Sequence, residues 1–236
     1  MAKRQTWFLS GIDTDAGKTY VTAALVKYLF DLGKKVTSFK LIQTGSPDGR
    51  SIDIDAHRKL AEMPESDLDR AKLTYPEVYT YPASPHLAAE LDGRPIDFNK
   101  IEAALKQVES QFDYVIVEGA GGLMVPLTRD LLTIDYAARQ NWPLLLVTSG
   151  KLGSINHTLL SLEAAAKRGM KIAGVLYNAW PEADPVIGPD TIKFLREYIG
   201  EHYPECAFCL SPYYQNGKFC PTPDFSGLFT ANGGEK

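Results

Sequence analysis

The amino-acid sequence predicts an α/β fold: one domain built on a doubly wound, mostly parallel sheet flanked by helices. Three observations carry this. Short, nearly continuous apolar runs recur along the chain, as strands buried on both faces require. Helical patterns fall between several of them, and strands alternating with helices close into right-handed crossovers that cover both sides of one sheet. A chain of 236 residues, 44% hydrophobic and 11% aromatic, has the apolar material for a single substantial core, so one domain over 1–236 is expected.

Taken in order, the first strand is Thr6 to Ser10. A loop then leads to Val21, Ala24, Leu25, Tyr28, Leu29 and Leu32, apolar at the spacing of one helix face, and Gly33 stops that helix. Val36 to Lys40 is the second strand. From Gln43 to Pro85 the chain is rich in Asp, Ser and Pro, with one short helical piece at Ile54 to Ala61, and reads as a functional loop region or a mobile lid. The remaining pattern alternates: helix Phe98 to Ser110, strand Tyr114 to Val117, helix Thr133 to Asn141, strand Leu144 to Thr148, helix Ile155 to Arg168, strand Ile172 to Leu176 and helix Asp190 to Ile199. The tail from Asn216 to Lys236 has no periodicity, and Asn232-Gly233-Gly234 within it is expected to be disordered.

Charge narrows the partners. The 25 Lys and Arg against 29 Asp and Glu leave a formal charge of -4, with no basic run or aromatic-rich basic stripe, so a small-molecule substrate is expected and nucleic acid is not. The apolar stretch Trp7 to Leu9 is too short for a signal peptide or a membrane span, which makes a cytoplasmic protein without membrane contact the expectation. Cys206-x-x-Cys209 lacks the second close pair of a structural zinc site, and with Cys220 it reads as reduced thiols.

The chemistry is concentrated after the first strand. Trp7-Phe8-Leu9-Ser10 runs into Gly11-Ile12-Asp13-Thr14-Asp15-Ala16-Gly17-Lys18-Thr19, which opens the first helix; this is the strand, loop and helix order of a P-loop. Glycines let the backbone approach phosphate, free N–H groups face the charge, Lys18 reaches the β- and γ-phosphates, and the Thr19 hydroxyl can ligate Mg²⁺. The usual pattern has four residues between its first glycine and Gly-Lys; five lie between Gly11 and Gly17. Tyr114 to Glu118 is an apolar strand ending in a carboxylate, the placement from which P-loop enzymes hold magnesium, and Gly119-Ala120-Gly121-Gly122 admits a close backbone approach. Lys40 ends a neighbouring strand beside the phosphate site, although a lone strand-end lysine is more often simply solvated.

Together with Thr44-Gly45-Ser46, Ser84-Pro85-His86, Val125-Pro126-Leu127 and Lys151-Leu152-Gly153-Ser154-Ile155-Asn156-His157, these segments resemble dethiobiotin synthetase, in order from Thr6 to about Asn178. The longer loop is that family's own form. The resemblance implies a P-loop NTPase-like homodimer that carboxylates 7,8-diaminopelargonic acid with CO₂, phosphorylates the carbamate from ATP and closes a ureido ring. It implies that Asp13, Thr14, Asp15, Ala16, Gly17, Lys18 and Thr19 bind ATP with Glu118, and that Asn178, Pro212 and Tyr213 flank the adenine. Magnesium would be held by Thr19, Asp55 and Glu118. Lys40, Lys18 and Thr14 would be catalytic, and Thr14, Lys40, Thr44, Ser84 and Gly121 would line the substrate site. Lys151, Ser154, Ile155 and Asn156 of the neighbouring subunit would receive the substrate's carboxylate, where a helix N-terminus offers free N–H groups. Past Asn178 the likeness thins, because Tyr214 to Cys220 departs from the family's usual continuation.

Two other readings share the loop. A cobyrinic acid amide synthetase would also carry a glutamine-hydrolysing domain, for which this chain is too short. A partitioning-type ATPase switch carries an extra lysine where this chain has Asp13.

Overall fold

The computed structural model describes residues 5–179 and 184–230; the expected disorder at Asn232-Gly233-Gly234 lies outside them. Six parallel strands form the central sheet: β1 (Gln5–Gly11), β2 (Val36–Lys40), β3 (Tyr114–Gly122), then, after the small antiparallel pair β4 (Pro126–Thr128) and β5 (Leu131–Leu132), β6 (Leu144–Ser149), β7 (Ile172–Asn178) and β8 (Ala207–Ser211). Their spatial order is β2-β3-β1-β6-β7-β8. From β1 the chain runs to the edge strand β2, returns through β3 between the two and then crosses to the other side, so the carboxyl end of β1 lies at the reversal of strand order, where open α/β sheets leave a crevice for ligands.

Side chains alternate across the sheet as the strand period demands. Phe8, Leu144 and Leu146 point into one buried cluster and Trp7, Leu9, Leu145 and Val147 into the other. The first cluster is covered by α5 (Phe98–Glu109), α6 (Thr133–Arg139), α7 (Ser154–Lys167) and α8 (Ile187–His202), through residues such as Ile101, Leu105, Ile134, Leu162 and Leu195. The second is covered by α1 (Lys18–Asp31), with Val21, Leu25 and Leu29, and by α2 (Ile52–Leu60). Two covered faces explain why the strands read as unbroken apolar runs.

The Gln43 to Pro85 segment holds α2 and the short α3 (Asp67–Arg70), and α4 (Pro85–Leu91) follows. It lies packed on the protein, with Tyr79 fully buried and Gln43 bridged to Val78. Three features escaped the sequence pattern. Strand β8 is an edge strand whose burial alternates while its sequence does not, since the exposed Leu210 is apolar. The tail forms a hairpin, β9 (Tyr213–Gln215) with β10 (Lys218–Cys220), and then α9 (Gly227–Thr230). Leu228 fills the space that a Cβ at Gly174 would enter, 2.5 Å from its Cδ2, and the Phe229 ring lies 5.5 Å from that of Trp7 and 6.1 Å from that of Tyr114. Among the described residues no helix is long and apolar enough to cross a membrane.

Candidate active site

The loop after β1 folds around its own lysine. Asp13 accepts a hydrogen bond from the Thr14 backbone N–H at 2.7 Å, Thr14 to Ala16 form a single 3₁₀ turn, and Gly17 reverses direction at φ +90° before α1 begins. Only glycine adopts that backbone cheaply. Lys18 curls back, donating from Nζ to the carbonyls of Asp13 at 3.1 Å and Thr14 at 3.0 Å. Burial, and secondarily the Lys40 ammonium, bring Lys18 down to about 8. An anion entering the loop would offset both by favouring the charged ammonium.

Lys40 and Glu118 are register partners on β2 and β3. The Lys40 ammonium has three hydrogens and three acceptors: Asp53 Oδ2 at 2.6 Å, Glu118 Oε1 at 2.9 Å and the Gly119 carbonyl at 3.1 Å. Burial disfavours its charge, but Glu118 and Asp53 more than offset that and hold it above the ordinary lysine range. Glu118 is fully buried; burial alone would raise its carboxyl, yet the Lys40 ammonium and hydrogen bonds from His57 and Thr22 hold it well below the carboxylate range. Lys40 is therefore 4% exposed and is no solvated strand-end lysine.

The acidic residue that α2 delivers is not the expected one. Asp55 projects outward to Arg50, which donates from Nε at 3.2 Å and Nη2 at 3.1 Å, and its side chain is 47% exposed. Asp53 takes its place, accepting from the Thr19 hydroxyl at 3.1 Å and pairing with Lys40. Two residues along a helix is a rotation of about 200°, so the two carboxylates face opposite ways. Asp55 is thus withdrawn as a ligand candidate. Ser51 caps α2, accepting from Ile54 N, and Gln43 Oε1 accepts from the Ser51 hydroxyl at 2.7 Å and Asp53 N at 3.3 Å, which fixes the start of the helix. Thr19, Asp53 and Glu118 make an all-oxygen set of two carboxylates and a hydroxyl, the donor chemistry of a hard divalent cation that completes its shell with phosphate oxygens.

Other expected residues gather around this row. Gly121, at φ +67°, would place a Cβ 3.8 Å from Thr14 Oγ1, so the glycine run of β3 passes beside the loop. Thr44 follows β2 and is half-buried, and Ser84 pairs with His86 Nδ1 at 3.0 Å at the start of α4. A small cavity of about 80 Å³ lies between Asp13, Asp15 and Ala16 and the segment Ser149, Lys151, Leu152 and Ser154. Ser154 is 3% exposed and its hydroxyl has no hydrogen-bond partner, while Ile155 is half-buried and Asn156 exposed on the first turn of α7. Asn178 ends β7 and donates from Nδ2 to the Ala16 carbonyl at 3.1 Å. Its register partner is Ser211, so Pro212 and Tyr213 follow at the same end of the sheet.

The sequence reasoning missed Thr22, His57, Ser38, Arg58 and Asp69, all buried polar groups behind the row. Their signal was a polar side chain on the apolar face of a helix or strand. Cys206 and Cys209 are free, and burial pushes their thiols up to about 12 and about 11.

Residues 5–203 match the AAA domain family. The chain is 44% identical over 208 residues, 88% of it and 96% of the relative, to the ATP-dependent dethiobiotin synthetase BioD 2 of Pasteurella multocida. It is 48% identical to the Haemophilus influenzae protein of the same description, over 75% of this chain and 92% of that one. It is 46% identical to the ATP-dependent dethiobiotin synthetase BioD of Chlorobaculum tepidum, over 80% and 79%. Among solved structures it superposes on a Cyanothece McdA variant in complex with ATP at a TM-score of 0.54 and 17% identity, over 100% and 99% of the two chains. For pNOB8 ParA bound to nonspecific DNA the values are 0.54 and 15%, over 97% and 92%. These likenesses show the fold.

Proposed function

The chain belongs to the dethiobiotin synthetase family, ATP-dependent ligases of biotin biosynthesis, and from that premise we propose how its own residues carry the reaction. One amine of 7,8-diaminopelargonic acid adds to CO₂ and loses a proton, giving a carbamate. A carbamate oxygen attacks the γ-phosphorus as the bond to the β-phosphate oxygen breaks, releasing ADP. The second amine then attacks the carbonyl carbon and loses a proton, the bond to the phosphate oxygen breaks, phosphate leaves, and the ureido ring closes.

The observation that carries this reading is the continuous row Thr19, Asp53, Lys40, Glu118 set against the phosphate loop. Phosphoryl transfer needs positioning and charge neutralisation more than covalent help. Lys18 and the loop N–H groups hold the phosphates. Lys40 leaves at least one of its three present acceptors to meet the carbamate and the phosphoryl group in flight. Thr19, Asp53 and Glu118 would hold magnesium, which when bound would offset charge on the phosphate oxygens. Thr14, Thr44, Ser84 and Gly121 surround the diamine end, and Asn178, Pro212 and Tyr213 the base.

The working unit is a homodimer in which Lys151 and the Ser154-Ile155-Asn156 turn of one subunit take the carboxylate of the substrate held by the other. Two features support it: the unpartnered buried hydroxyl of Ser154, and the exposed apolar side chains of Leu87, Leu91, Met124, Leu152 and Leu160. The enzyme acts in the cytoplasm on small molecules. Incubating pure protein with the diamine, bicarbonate, magnesium and ATP should give dethiobiotin by mass, with one phosphate released per product. Phosphate release that does not depend on the diamine, with no dethiobiotin formed, would refute the reading.

A further inference from the structure

Glu118 is held by more than Lys40. Its Oε2 accepts from the Thr22 hydroxyl at 2.6 Å and lies 2.9 Å from Nε2 of His57, a residue with no exposed surface. Asp53 and His57 stand four residues apart on α2, so one helix face supplies a carboxylate to one side of Lys40 and an imidazole to the far side of Glu118. The other ring nitrogen, Nδ1, is 3.0 Å from Ser38 Oγ on β2.

Which nitrogen bears the hydrogen follows from Glu118, whose ionised carboxylate only accepts, and the surroundings of Ser38 agree with it. A guanidinium has donors and no acceptor. Arg58 Nη1 donates to Ser38 Oγ at 3.1 Å, which takes up one of that oxygen's two lone pairs and leaves its own hydrogen able to donate to His57 Nδ1. The ring hydrogen then sits on Nε2, facing Glu118. Arg58 cannot turn away: it makes two bonds to Asp69, at 2.8 and 2.9 Å, and one to Thr37 Oγ1 at 2.9 Å. Asp69 in turn accepts from Thr74 and from Ser66 N, as the third residue of α3 and the far member of its capping box. Donation runs one way, from Arg58 through Ser38 and His57 to Glu118.

We propose that His57 is a positioning residue for phosphoryl transfer: the Glu118 carboxylate on one side and Ser38, held by Arg58, on the other fix its tautomer, and its Nε2 hydrogen holds Oε2 of Glu118 back so that Oε1 is presented to Lys40 and the phosphate side. The inference rests on the placing of Glu118 in the active site. Partners that orient ligating carboxylates in this way typically account for roughly 10- to 100-fold in metal affinity or activity.

Two substitutions separate positioning from packing. The amide nitrogen of Gln falls near the place of histidine Nε2, and that of Asn near Nδ1. His57→Gln should keep kcat within a few-fold of the parent, whereas His57→Asn should lose roughly 10- to 100-fold in kcat and need more magnesium, with KM for ATP little changed. The second readout needs no turnover. In metal-free protein carrying ¹⁵N-histidine, the His57 signals should show hydrogen on Nε2 and an accepting Nδ1, and Ser38→Ala should abolish that pattern. Equal losses in His57→Gln and His57→Asn at matched thermal stability would overturn the proposal. So would a parent ring with its hydrogen on Nδ1. Glu118→Gln reports separately on the premise: full activity in that variant would remove Glu118 from the site and leave the tautomer result standing.

Discussion

Asn178 occupies the space that a side chain at Gly17 would need: a Cβ built there would lie 2.0 Å from Nδ2 of Asn178, whose amide donates to the Ala16 carbonyl. The end of β7 is thereby locked to the turn of the phosphate loop. Gly17→Ala should displace Asn178, weaken binding of a non-hydrolysable ATP analogue at least 10-fold and lower the melting temperature. Gly33→Ala is the control, since it has a similar φ of +72° and open space around it, and should cost only backbone strain of about 1 kcal/mol. Equal nucleotide affinity in the two variants would show that the contact with Asn178 is immaterial.

Asp53 and Asp55 should behave differently under magnesium titration. Asp53→Asn removes a charged oxygen from the row and should shift half-saturation to at least 10-fold higher magnesium. Asp55→Asn breaks only a solvent-screened exposed pair with Arg50 and should titrate like the parent. A parental curve for Asp53→Asn would remove it from the site.

Lys40→Met should bind Mg-ATP nearly normally by calorimetry yet lose kcat by roughly 10²-fold or more, because its interaction is made mainly in the transition state. Lys40→Arg should not rescue: the three acceptors within 3.1 Å fit the hydrogens of one compact ammonium, and a planar fork cannot meet all three. Lost nucleotide affinity with unchanged kcat would make Lys40 a binding residue only.

Acid stability should depend on Asp69. Burial raises its carboxyl, but the paired Arg58 more than offsets this and brings it from 3.8 down to about 2. The unfolded chain therefore takes up this proton first as pH falls, so the stabilisation, about 2 kcal/mol, is complete above pH 4 and is lost between about pH 4 and pH 2. Asp69→Asn should lower the denaturant midpoint at pH 7, and the gap from the parent should narrow on acidification. A gap that stays constant from pH 7 to pH 3 would show that the pair is not what holds the carboxylate charged.

The parts of the site legible in the sequence were those where chemistry restricts the residue type. Gly17 needs a positive φ, Lys18 and Thr19 have fixed tasks at a helix start, and Glu118 ends an apolar strand. Asp53 was missed because the start of α2 was not placed at its Ser51 cap, and without that start the face of each carboxylate is undetermined. His57 and Arg58 were not singled out, because a polar pair on a short helix carries no mark of the burial that its packing on β2 imposes. Strand β8 and α9 escaped because an edge strand and a single helical turn are specified by what they pack on, which lies far away in the chain.

That distance matters while the chain is being made. Phe229 rests on Trp7 and Tyr114, and Leu228 fills the notch at Gly174, yet almost the whole described sequence separates α9 from β1. The outer end of the first strand leaves the ribosome early and gains its aromatic cover late, with a loop-closure cost that delays such contacts further. A nascent chain, or one clipped before Phe225, presents an open groove of Trp7, Tyr28 and Tyr114, and this is the surface that holding chaperones would recognise and through which incomplete molecules would aggregate.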